Sequence, residues 1–263
     1  MKVPEDIRVS SIHDDDTEEE EVGTSPWRKP AGLSRLRHTP QGAHEPADLG
    51  DVPQVRRPTV PAPVLDACSV AARHMGHSSI KVLGVTSCRR GEGRSTIATG
   101  LAMTHAGEYQ HRTVLVELDL ERPSLARLLG LRLKPGVSEL LTEGSSMAAC
   151  LHEVETNLSV ITAGSAATSA RRLLGEGSAQ LLKELEATFE VVVVDLPPLT
   201  PGSGAAYLAD LCDTVMMVVR SGRVERSEVA DGVGCLAGPV YAIVNDVKPK
   251  TPPLLRRVFG LPA

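Results

Sequence analysis

Aromatic residues are almost missing from this chain, which has one Trp, three Tyr and two Phe among 263 residues. Its core must then be built from Leu, Val, Ile and Ala, the composition of buried parallel strands. No apolar run approaches the roughly 18 residues needed to cross a bilayer, so a membrane role is expected to need a partner. The first residues are acidic, unlike the basic and apolar start of a signal peptide. There is no excess of positive charge. The formal net charge is -5, so no nucleic-acid partner is expected. The cysteines Cys68, Cys88, Cys150, Cys212 and Cys235 form no C-x-x-C pair and are odd in number. They read as reduced thiols of a cytoplasmic protein, most of them filling the core. Internal repeats are also absent.

The length suits one sizeable domain with flanking segments. Residues 1–62 carry an acidic block (Asp14 to Glu21), a basic stretch (Arg28 to His38) and a proline-rich run. Such a segment buries too little apolar surface to offset the entropy of ordering, and it is expected to be a disordered arm. Residues 248–263 form a tail whose prolines forbid regular structure at its start and whose end is short, basic and apolar. Between them, residues 63–247 alternate helices and strands. Leu65, Cys68, Ala72 and Met75 mark one side of a helix over 64–75. Strands are expected at Ile80 to Ser87, Thr113 to Leu120, Leu158 to Gly164, Val191 to Pro198, Asp213 to Arg220 and Val240 to Val247. Helices are expected over Ser95 to Ala106 and over Ala170 to Phe189, the latter broken at Gly175 or Gly177. This alternation predicts an α/β fold, a doubly wound, mostly parallel sheet with helices on both faces.

The stretch "VTSCRRGEGRSTIATGLA" (residues 85–102) joins a strand to a helix through a glycine turn. Backbone N–H groups in such a turn, with the helix N-terminus behind them, form an anion cradle. Gly91 and Gly93 allow close backbone approach. Ser95 is placed to give its hydroxyl to Mg²⁺, and Thr96 supports the helix start. Arg94 stands where a phosphate-binding loop usually has lysine. Two strands end in acids. In "VLVELDLERPSL", Glu117 and Asp119 alternate with leucine, which would put both on one side of a strand. In "VVVVDLPPL", Asp195 follows four valines. Strand C-termini gather at the ligand-binding edge of such sheets. A phosphate loop and three acids at one edge predict a Mg²⁺–nucleotide site. His105 and His111 have no metal-ligand spacing around them and read as surface residues.

Residues 64–247 resemble the cytoplasmic tyrosine kinases of bacterial capsule and exopolysaccharide synthesis, within the MinD/ParA-like class of P-loop ATPases. The family loop TSxxPGEGKS/T appears as "TSCRRGEGRST", its DxDxRRP motif as "ELDLERP", its PGLS-E/D-LL segment as "PGVSELL" and its DxPP motif as "DLPP". The resemblance implies an ATP site with Mg²⁺. Its nucleotide contacts would come from Gly91, Glu92, Gly93, Arg94, Ser95 and Thr96, with Asn245 on the adenine; Arg90, where the family loop has proline, would add a phosphate contact through its own charge. Ser95, Asp119 and Asp195 would hold the metal, and Arg94, Glu117, Asp119 and Asp195 would carry the chemistry. It also implies a membrane polysaccharide copolymerase as partner, and a cytoplasmic protein recruited to the inner face of the cell membrane through it.

The departures fall on catalysis. Arg94 replaces the loop lysine, Glu117 replaces an aspartate, and Glu121 stands where the family has arginine. Arginine is a planar fork and lysine a point charge, so the first exchange is not conservative. The ring-forming Glu-x-x-Arg-x-x-Arg pattern is replaced by Asp66, Ser69 and Ala72. Homo-oligomerisation therefore stays open, without the ring motif. The tail lacks the family's tyrosine cluster; the only tyrosines are Tyr109, Tyr207 and Tyr241. The expected function is an ATP-binding regulator of polysaccharide polymerisation or export, with kinase activity weakened or lost. The alternatives are a positioning ATPase of the MinD/ParA type and a catalytically dead adaptor for the copolymerase.

Overall fold

The computed structural model describes residues 60–76, 80–165 and 175–246. Residues 1–59 of the expected arm, the tail and the first residues of the helix over 170–189 lie outside the described residues, and the arm's expected end at 62 is corrected by α1, which begins at Ala62. In chain order the elements are α1 (Ala62–Met75), β1 (Val82–Ser87), α2 (Arg94–Gly107), β2 (Thr113–Glu117), α3 (Leu125–Leu129), α4 (Val137–Glu143) and α5 (Met147–Cys150). There follow β3 (His152–Glu155), β4 (Leu158–Ile161), α6 (Glu176–Thr188), β5 (Val191–Asp195), α7 (Ala205–Asp210), β6 (Thr214–Arg220), α8 (Arg226–Gly234) and β7 (Val240–Asn245).

The strands form one sheet in the order β3-β4-β2-β5-β1-β6-β7. All neighbours are parallel except β3 and β4, which pair antiparallel. The doubly wound, mostly parallel sheet expected from the alternation is therefore present. Every residue of β1, β2 and β5 is buried. Strands covered on both faces need such continuous apolar runs. Each fully buried Val or Leu contributes on the order of 1.5–3 kcal/mol. The register pairs Val85 with Asp195 and Glu117 with Asp195. This sets the ends of three central strands level, so the loop after β1 and the acids of β2 and β5 meet at one edge.

The helix carrying the loop is fixed from behind. α1 accepts proline in its first turn and ends at Gly76 with φ 72°. It buries Cys68, Ala72 and Met75, as the periodicity requires. A Cβ on Gly100 of α2 would stand 2.8 Å from the Cys68 sulfur, so α1 and α2 cross at a point only glycine permits. Burial pushes the Cys68 thiol up to about 12, and Cys212 likewise, which keeps both protonated as packing groups. Cys150 and Cys88 are buried too, and only Cys235 is exposed.

Two expectations need correction, and one strand carried no expectation. β2 stops at Glu117, not Leu120, because Leu118 N–H turns to the Asp195 carbonyl at 2.9 Å and Asp119 enters a loop. The hairpin strand β3 carries no apolar run ("HEVE", alternately half-buried and exposed) and leaves little periodic signal. His105 is 1% exposed, not a surface residue. It lies one helical turn from Leu101 on the buried side of α2, with Tyr109 and His111 rings each centred 5.7 Å away.

Candidate nucleotide site

The loop between β1 and α2 is shaped by left-handed glycines. Gly91 has φ 80° and Gly93, the residue before α2, has φ 95°. A Cβ on Gly93 would run into the Asn245 amide nitrogen, so both backbone conformation and space demand glycine there. The loop is tied to the sheet on the β6–β7 side. The buried Glu92 carboxylate accepts from Arg89 N at 3.1 Å and from Arg220 N at 3.3 Å. Asn245 Nδ2 donates to the Glu92 carbonyl at 2.8 Å. Arg220 also donates to the Gly91 carbonyl at 3.3 Å. Asn245, assigned to adenine by resemblance, here holds the loop backbone.

A cavity of about 550 Å³ opens in front of this loop. From the loop side it is lined by Arg90, Gly91, Gly93, Arg94, Ser95 and Thr96. From the opposite side it is lined by Arg122, Ser124, Arg127 and Leu128. Four arginines and no carboxylate line it, at the N-terminus of a 14-residue helix. The electrostatics are those of an anion site.

The acids sit behind these cations. Arg94 is 8% exposed and turns inward, where Nη2 meets Asp119 Oδ2 at 2.9 Å and Nη1 donates to the Leu196 carbonyl at 2.5 Å. Arg90 Nη1 meets the same Asp119 oxygen at 2.9 Å, and its Nη2 meets Glu121 at 3.1 Å. The other oxygen of Asp119 accepts from Arg122 N at 3.3 Å. Asp119 is therefore fully engaged by cations and backbone.

Glu117 is fully buried. One of its oxygens accepts from the N–H groups of Ser124 and Leu125 and from the Ser124 hydroxyl, and the other from Ala163 N at 3.2 Å. Burial raises its carboxyl above the usual range, while these hydrogen bonds pull it back. Glu117 thus satisfies the start of α3, the work normally done by an N-cap side chain. Ser124, at the N-cap position, has its hydroxyl 2.7 Å from the Ser95 hydroxyl instead.

Asp195 is the exception. It closes β5, is 1% exposed, and neither carboxylate oxygen is in a close hydrogen bond, although the Ser95 hydroxyl stands near enough to favour the charged form. Burial pushes its carboxyl up to about 7, opposed by the Arg94 guanidinium and the nearby Ser95 hydroxyl and assisted by Glu117 and Asp119. An orphaned buried carboxylate is costly unless something binds it. Among the described residues no group of three His, Cys, Asp or Glu side chains could hold a metal ion. One free carboxylate beside one hydroxyl does fit Mg²⁺, which takes few protein ligands and completes its shell with phosphate oxygens and water.

The structure thus gathers the expected loop residues, Ser95 and Asp195 at one edge, with Asp119 and Glu117 behind them. Sequence reasoning missed Ser124, Arg127 and Arg220. Only Ser124 left a signal, as a cap residue just before the apolar "LARLL".

Strand, left-handed glycine turn and helix N-terminus at the edge of this sheet define a P-loop fold of the MinD/ParA-like class. The Pyrococcus furiosus cell division ATPase MinD shares it, with TM-score 0.53 at 14% identity over 69% of this chain and 80% of that one. No protein-family model matches the chain. Its relatives are bacterial tyrosine-protein kinases. YwqD of Bacillus subtilis is 29% identical over 163 residues, 60% of this chain and 67% of YwqD. CpsD of Streptococcus agalactiae serotype III is 30% identical over 155 residues, 57% of this chain and 65% of CpsD. The chain thus spans about two thirds of these relatives. The succinoglycan biosynthesis transport protein ExoP of Rhizobium meliloti is 31% identical over 159 residues, 59% of this chain but 20% of ExoP. Among solved structures, the VpsO kinase domain has TM-score 0.64 and 28% identity, covering 71% of this chain and 97% of that domain. The resemblance to capsule and exopolysaccharide tyrosine kinases therefore holds in sequence and in fold.

Proposed function

We propose that the chain binds ATP with Mg²⁺ in the four-arginine cavity and regulates the assembly or export of a bacterial polysaccharide, with tyrosine-kinase activity weakened or lost. The observation that carries the binding half is the orphaned Asp195 beside an arginine-lined loop at a helix N-terminus. Gly91, Gly93 and the first turn of α2 cradle the phosphates, and Arg94 and Arg90 supply positive charge. Ser95 and Asp195 would hold Mg²⁺, which neutralises charge on the β- and γ-phosphates when bound.

The weakened chemistry follows from where the other acids stand. Glu117 accepts three backbone N–H groups, and Asp119 carries two guanidiniums. Neither is poised to take a proton from a tyrosine hydroxyl. Arg94 faces inward to Asp119 and Leu196, whereas a loop lysine reaches the β/γ-phosphates. Because phosphoryl transfer depends mainly on positioning and electrostatics, displacing these groups lowers turnover more than binding.

ExoP supports the choice of partner, since the related segment there is a fifth of a longer transport protein. A membrane copolymerase would recruit this chain to the inner face of the cell membrane; no described helix is long and apolar enough to cross it. The test is phosphoryl transfer from labelled ATP by the full chain, with the copolymerase's cytoplasmic segment and a tyrosine peptide. The expected result is saturable ATP binding with little or no phosphotyrosine. Robust phosphotyrosine formation, abolished by Asp195→Ala, would overturn the weakened-kinase half.

A further inference from the structure

Asp119 has two guanidiniums on one oxygen. Arg94 and Arg90 each reach Oδ2 at 2.9 Å, so one cation is enough to keep that carboxylate paired. The two are not equivalent. The Arg94 side chain is 9% exposed and is also held by the Leu196 carbonyl, while Arg90 is 29% exposed. The second hold on Arg90 is Glu121, itself 40% exposed, at 3.1 Å. An exposed ion pair of this kind is weak, because water screens it and two long side chains must be held in place. Arg90 is therefore the guanidinium that can leave without unpairing a buried charge.

Its location says where it would go. Arg90 lines the anion cavity, and in its resting position it shares an oxygen with the residue at the loop's β/γ-phosphate position. A terminal phosphate in this loop would be the nearest strong acceptor outside the acidic pair. Exchanging a weak surface partner for a phosphate oxygen favours the move, because charge-assisted bonds to phosphate are the stronger ones.

We propose that Arg90 is a swinging cation, parked on Asp119 and Glu121, that moves onto the terminal phosphate of a bound nucleoside triphosphate, and that Glu121 is the brake that holds it back. This rests on the nucleotide reading above and adds to it a residue that tells a triphosphate from a diphosphate. Arg94 keeps Asp119 paired throughout. The sign of Glu121 follows: its negative charge works against triphosphate binding, in large part by holding Arg90.

The test is a double-mutant cycle on the full chain, titrated with fluorescent ATP and ADP analogues in Mg²⁺. Arg90→Ala is expected to weaken ATP binding by about tenfold or more and ADP binding by less than about twofold. Glu121→Gln is expected to strengthen ATP binding by a few-fold. In the double variant the Glu121→Gln gain should be clearly smaller than it is in the presence of Arg90. Equal losses for ATP and ADP in Arg90→Ala would overturn the proposal, as would a Glu121→Gln gain as large without Arg90 as with it. Both outcomes would leave the nucleotide reading standing. If the wild type binds neither nucleotide, the reading itself fails and this proposal with it. Thermal unfolding of each variant identifies a folding defect, and Arg90→Lys, which keeps the charge, should recover part of the ATP preference if the fold is sound. No recovery in a folded Arg90→Lys protein counts against the swinging cation.

Discussion

Replacing Asp195 with asparagine should make the nucleotide-free protein more stable at neutral and alkaline pH. Burial lifts this carboxyl from an ordinary value near 3.8 to about 7, with Arg94 and Ser95 only partly opposing it. A carboxyl raised in the folded state contributes full stability below its unfolded value, and that stability is lost as pH climbs through the folded value. The window therefore runs from about pH 4 to about pH 7. About three pH units at about 1.4 kcal/mol each set a ceiling of about 4 kcal/mol. Relaxation and water penetration bring the real penalty below that ceiling. Asparagine keeps the shape and removes the charge, but its amide is also without partners, which holds back on the order of 1 kcal/mol. The net gain is about 1–2 kcal/mol at pH 8, or a Tm rise of about 2–8 °C for an ordered region of this size. Thermal unfolding of both proteins at pH 5 and pH 8, in EDTA, measures it. The gap should be wide at pH 8 and much smaller at pH 5. A variant no more stable than wild type at pH 8, or a gap that ignores pH, would refute the claim that Asp195 is an incompletely compensated buried charge.

Three further outcomes follow from the geometry. Glu117→Asp restores the family residue, yet it is one methylene too short to reach the amides of Ser124, Leu125 and Ala163 together, so calorimetry should find a loss of about 2 kcal/mol. Gly93→Ala should lower stability by about 1–3 kcal/mol and abolish nucleotide binding in a titration, because φ is 95° and the Asn245 amide fills the space a Cβ needs. Glu139 accepts from Gly136 N at 2.8 Å and Ser165 N at 2.9 Å, and although burial works the other way, these bonds and the Ser165 hydroxyl hold its carboxyl below the usual range. Its stabilisation is present above the usual glutamate range and is lost as pH falls through the folded value, so Glu139→Gln should show a flatter acid limb in unfolding experiments.

The architecture was legible in the sequence because continuous Val and Leu runs have no other stable home than a parallel sheet covered on both faces. The runs at β1, β5 and β6 and the glycine turn before α2 carried that signal. β3 did not, since "HEVE" contains one apolar residue and gains its pairing from β4. Within the site, chain position predicted which residues would gather but not what each would touch. Glu117 and Asp119 looked equivalent two residues apart, until β2 ended between them and gave one to backbone amides and the other to arginines. Arg127 left no trace in sequence, because its place in the cavity depends on how α3 folds back toward the loop. His105 misled for a similar reason: a polar side chain at a helix end reads as exposed, but here the His111 ring stacks on it and the Tyr109 ring packs against it at a tilt.

The most direct measurement is a titration of the full-length protein with a fluorescent ATP analogue and Mg²⁺, beside the Arg94→Lys variant. A site that keeps Gly91, Gly93, Ser95 and Asp195 should bind in the micromolar range as wild type, with affinity that falls when EDTA removes the metal. Binding by Arg94→Lys alone, with none by wild type, would contradict the account and place the function of this chain in its surfaces rather than in a nucleotide.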